Sequence, residues 1–150
     1  MSENAHAPFT PEEWETLLKA PVLVFLLVAA MDGKVDEKEV KGFQKILREA
    51  ATYKSELLRN ILIATMDKIP AILAQILSSS GDAGRTLQQV KAIAEAKLPV
   101  EEAKLFKQSL LYVGKQIAES SGGFLGFGSK ISKEEKAALN AVALLLGVTE

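Results

Sequence analysis

The sequence predicts an all-α fold, a single compact bundle of seven to eight helices. Three observations lead there. Apolar residues recur at helical spacing, helix start and stop signals punctuate the chain throughout, and no run of period-two alternation competes. At 150 residues, 48% of them apolar, the chain has the length of one domain and can bury ~70% of its unfolded surface. Residues 1–9 are expected as a flexible tail and residues 10–150 as the helical domain.

Each element has its own signal. "TPEEW" offers Thr10 as N-cap, Pro11 at the first helical position and Glu13 to close a capping box. That helix stops before Pro21, where "PVLVFLLVAAM" begins a buried, wholly apolar helix that ends at Asp32-Gly33. The next helix opens at Asp36, with Val40, Phe43, Leu47 and Ala50 on one face. "SELLRNILIATM" makes a fourth and "IPAILAQIL" a short fifth, closed by the turn-rich "SSSGDAG". "RTLQQVKAIAEAKL" runs to Pro99, which starts the longest helix. There Val100, Ala103, Phe106, Leu110, Val113 and Ile117 keep the helical period. A loop, "SSGGFLGFGSK", precedes the last helix, capped by Ser132 and Glu135 and stopped by Gly147.

Composition removes whole classes of chemistry. With no Cys, disulfides, thiolate metal sites and cysteine nucleophiles are excluded, and the one His, His6, lies in the expected tail. Any metal site must therefore use oxygen ligands, which selects Ca²⁺, Mg²⁺ or Mn²⁺. A net charge of -1, from 18 basic and 19 acidic residues, argues against nucleic acid as a partner. The lysines read as solvated helix faces. The apolar run of 11 residues at Pro21–Met31 falls short of the ~20 a spanning helix needs. It follows Glu12, Glu13 and Glu15 instead of the basic start of a signal peptide, so a cytoplasmic protein is expected. No Ser or Thr has a visible relay partner, so a non-enzymatic role is expected.

The acidic turn "MDGKVDEKEV" carries the first candidate site. An EF-hand alignment that puts Gly33 on the loop glycine leaves Val28 and Ala30 where ligands are needed, so that motif fails. Asp36 and Glu39 form a capping box at the positive end of the following helix. Asp32 fits less well, because a negative charge at a helix C-terminus costs about 0.3–1 kcal/mol. An Asx-turn and Lys34 would compensate it, and so would a bound cation. The cation reading makes Asp32 the centre of a weak divalent site, with Asp36 and Glu39 supplying further oxygens.

Two segments look like copies. Aligning Asp32-Gly33 with Ser121-Gly122 and skipping seven residues, Gly123 to Ser129, brings "KVDEKE" onto "KISKEE". Each copy is an apolar helix, a glycine turn, a β-branched residue (Val35 or Ile131) and a capping box (Asp36/Glu39 or Ser132/Glu135). If the copies pack together, Glu135 joins the cation site. The arrangement, and "AAMDGKVDEKE" above all, resembles the TerB-like proteins of tellurite resistance, a domain also found in DnaJ-type co-chaperones. That resemblance implies a compact helical cytoplasmic domain with clustered surface carboxylates, working in stress or metal-oxyanion resistance beside membrane-associated protein partners. This chain departs from the family pattern at Ser121, where the second copy would carry Asp.

The glycine loop offers the second candidate. Gly123 and Gly128 have P-loop spacing, but Ser129-Lys130 reverses the required order and a helix precedes where a strand should. Phe124, Leu125 and Phe127 are unusual in such a loop. They either plug the core or form an apolar tip for a protein partner, which would make the chain an interaction module whose carboxylates only cap helices.

Overall fold

The structure is a computed structural model that describes residues 8–29, 37–49, 53–78, 82–124 and 133–148. Among the described residues there are eight α-helices and no strand, as the sequence predicts. They are α1 (Pro11–Leu18), α2 (Ala20–Ala29), α3 (Glu37–Arg48), α4 (Glu56–Thr65), α5 (Ile69–Ser78), α6 (Ala83–Lys97), α7 (Val100–Phe124) and α8 (Lys133–Leu146).

The capping signals translate into hydrogen bonds. Thr10 Oγ1 accepts from the Glu13 N–H at 3.1 Å, and Glu13 Oε1 accepts from the Thr10 N–H at 2.9 Å, completing the box. Ser55 caps α4 through the Leu58 N–H at 3.1 Å. α3 and α8 begin at Glu37 and Lys133, one residue after the caps expected at Asp36 and Ser132. Gly147 ends α8 with φ +71°, and the Val148 N–H donates to the Ala143 carbonyl at 3.0 Å while the Gly147 N–H donates to that of Leu144 at 3.2 Å. This pair of bonds is a Schellman stop, which needs a residue that tolerates positive φ.

Three boundaries or faces differ from expectation. α6 starts at Ala83, two residues before the expected Arg85, because Asp82 acts as its N-cap and accepts from the Gly84 N–H at 2.8 Å. α7 continues through Ser121, Gly122 and Gly123 to Phe124, so the loop expected from Ser120 begins later. Each glycine costs only ~1 kcal/mol relative to alanine in a helix interior, so glycine alone does not fix a helix end. Val100, expected in the core, is 81% exposed, because as the first residue of α7 it has only one turn of neighbours.

The central apolar helix is where its composition demands. α2 packs against α6, α7 and α8, with α1 and α5 touching it as well, and Val22, Leu23, Val24, Phe25 and Val28 are all buried. α1 turns into α2 across Lys19 alone: Pro21 has no N–H to extend α1, and the Leu23 N–H donates to the Lys19 carbonyl at 2.8 Å to start the new ladder. Gly114 marks the crossing of α2, α7 and α8, since a Cβ there would sit 3.1 Å from Leu139 and 3.2 Å from Val24. α3 docks through Phe43, whose ring stacks on Phe25 with centroids 4.5 Å apart. α4 and α5 meet at a bend of 89°, and among the described residues no single helix is long and apolar enough to cross a membrane.

Candidate functional site

The residues expected to bind a cation fall partly beyond view. Asp32 and Asp36 lie outside the described residues, as does the Asp32-Gly33 turn of the first expected copy, whereas Ser121-Gly122, the expected turn of the second, lies within α7. Glu39 falls in the first turn of α3, and Glu135 is half-buried in the first turn of α8. Among the described residues, no three Asp, Glu or His side chains converge on a point that could hold a metal ion. Of the loop residues, Phe124 is the last residue of α7, and Leu125 and Phe127 lie outside the described residues.

A different place on the described surface has the form of a binding site. An open groove of about 520 Å³ lies between the end of α6, the start of α7 and the stop of α8. Its lining is Glu95, Val100, Ala103, Lys104, Lys107, Gln108, Gly147 and Val148. The α7 residues in that set are spaced i, i+3, i+4, i+7 and i+8, so one helical stripe forms a whole wall. The stripe changes character along its length, from Val100 and Ala103 to the two lysines and Gln108.

Charge in the groove is organised around one carboxylate. Lys107 is only 7% exposed, against the expectation that the lysines form solvated faces. Its ammonium donates to Glu95 Oε2 at 2.5 Å, and Lys91 donates to the other oxygen, Oε1, at 3.3 Å. Glu95 is therefore held below the usual carboxylate range, first by the hydrogen bond from Lys107 and also by that from Lys91. Burial of Lys107 is tolerated because the short α6–α7 link at Leu98-Pro99 folds the two helices back on each other and brings Glu95 alongside.

Lys91 has a second role. A Cβ on Gly147 would come within 2.6 Å of Lys91 Cε, so the lysine stem lies over the Schellman turn. α8 has no basic residue in its last turn, and Lys91 from α6 supplies a cation near that negative helix end. The groove thus sets apolar residues (Val100, Ala103, Val148) beside the ammonium groups of Lys104 and Lys107, the latter fixed by Glu95. Such a surface suits recognition of an amphiphilic partner segment, and its volume falls within the ~300–1,000 Å³ of ordinary ligand clefts.

The helical stripe from Val100 to Gln108 was visible in the sequence as a spacing. Its meaning was not, because the partners Glu95, Gly147 and Val148 come from other helices.

Comparison with known proteins adds one relative. No protein-family model matches the chain, and no solved structure matches it. The chain is 31% identical over 142 residues to a protein of Methanothermobacter thermautotrophicus named "Uncharacterized protein ORF11'", covering 92% of this chain and 89% of the relative.

Proposed function

We propose a function from one premise: the chain belongs to the same family as the archaeal ORF11' protein. On this reading it is a non-enzymatic, TerB-like binding domain of the cytoplasm that holds a protein partner in a stress-response scaffold. The observation that carries the reading is the groove at Val100, Lys104 and Lys107, open to solvent and lined by both apolar and charged groups. Support for the TerB-like part is the all-helical bundle, with α3 and α8 starting directly after the two expected caps.

A photo-crosslinking side chain at Val100 should trap a discrete protein adduct in living cells. The same side chain at Ile63, 68% exposed on α4, should not. Equal adducts from both positions, or none from Val100, reject the groove as the binding surface.

A weak divalent-cation site at Asp32, Asp36, Glu39 and Glu135 belongs to the same proposal as a modulator. Titration with Ca²⁺, Mg²⁺ and Mn²⁺, followed by amide NMR, should shift resonances from Met31 to Glu39 in the wild type and leave them still in Asp32→Asn. Spectra unmoved at millimolar ion end the cation part and leave the scaffold reading intact.

A further inference from the structure

We infer that the groove between α6, α7 and the end of α8 recognises an acidic peptide segment, with an apolar side chain next to a carboxylate. This rests on the binding-domain reading above and names its ligand class.

The argument is one of complementarity. Three ammonium groups, Lys91, Lys104 and Lys107, stand at or behind the groove, against the single carboxylate of Glu95. Glu101 and Glu102 occupy the first turn of α7 but do not line the groove. An ammonium carries three protons, and Glu95 accepts one from Lys107. A carboxylate entering there would meet the Lys107 ammonium, buried and held in place by Glu95 with donors to spare, beside the exposed ammonium of Lys104. Hydrogen bonds between charged groups are strong. The negative end of α8 would oppose that entry, but Lys91 lies over Gly147 and offsets it. The apolar requirement comes from Val100, left 81% exposed on the lip, together with Ala103 and Val148. One short stretch of extended peptide can reach both ends, because the wall from Val100 to Lys107 is two helical turns, ~11 Å.

The probes are fluorescein-labelled peptides Gly-Ser-Gly-Leu-Leu-Glu-Asp and its neutral counterpart ending Gln-Asn-amide, read by fluorescence anisotropy with the full chain. The acidic peptide should bind at least roughly tenfold more tightly than the neutral one, as expected for a charge-assisted hydrogen bond. Lys104→Glu, at an exposed position, should remove that preference without unfolding the protein. Lys107→Met keeps the buried stem and should cost about ten- to a hundredfold in affinity for the acidic peptide alone. Amide shifts should centre on Val100, Ala103, Lys104, Gln108 and Val148.

Equal binding of the two peptides, or binding of neither, overturns the inference. So does preferential binding of dodecanoate, or a dimer in sedimentation that Lys104→Glu disrupts. These outcomes leave a crosslink at Val100 unaffected, whereas a missing crosslink removes the binding-domain reading itself.

Discussion

Gly147 shows how one residue can tie two helices. Its φ of +71° is a conformation that L side chains adopt at a cost of about 1–2 kcal/mol, and Lys91 fills the space a side chain would need. Gly147→Ala should therefore lower stability by at least about 1–2 kcal/mol in urea unfolding, and it should displace Lys91 from its position beside Glu95. An unchanged midpoint would mean that the α8 stop is relaxed. Tyr53 supplies a second residue-scale expectation. Buried edge-on to Tyr112 with centroids 5.8 Å apart, its hydroxyl is pushed up to about 12, by burial first and then by the nearby Tyr112 and Glu49. The folded state thus holds this proton longer than the unfolded chain, which releases it near pH ~10. The resulting stability is complete below that value and is lost as pH rises toward about 12. Absorbance titration of tyrosinate should show a late step that Tyr53→Phe abolishes; a wild type that fully ionises near pH ~10 would contradict the burial.

At the scale of elements, the helices divide by how local their instructions are. Thr10/Glu13 was readable because a cap satisfies backbone groups within three residues of itself, and Ser55, read only as the first residue of its helix, caps by the same rule. Asp82 obeyed the same rule but stood inside "SSSGDAG", where turn-forming residues hide which one caps. The crossing of α2, α7 and α8 depends instead on the missing side chain of Gly114. Gly114→Leu would drive atoms into Val24 and Leu139, already 3.2 and 3.1 Å from a bare Cβ. We expect a loss of about 1–3 kcal/mol or more by chemical denaturation, despite leucine's better helix propensity. A stabilised variant would show that the three helices can spread without cost.

For the whole molecule, stability is concentrated where α2 is enclosed. Phe25 is buried and stacks on Phe43 of α3, joining the central helix to the element that follows the acidic turn. Phe25→Ala should cost about 3–5 kcal/mol, a large part of the ~5–15 kcal/mol typical of a domain. A loss under ~1 kcal/mol would place the docking of α3 elsewhere. Of the residues that line the groove, Val100, Lys104 and Gln108 are exposed and can change with less effect on folding, whereas Ala103 belongs to the core and Gly147 to the stop of α8. Lys107 is constrained as well, since removing its charge leaves Glu95 with Lys91 alone.

The sequence by itself determined the helical class, most helix ends and the identity of the central helix. Those depend on periodicity, caps and unbroken apolarity, all of which act within a few residues. Only the tertiary structure decided that Lys107 is buried, that Val100 is bare and that Lys91 guards the end of α8. Those facts arise where α6, α7 and α8 meet, and a charged residue can be buried only once another helix brings its partner.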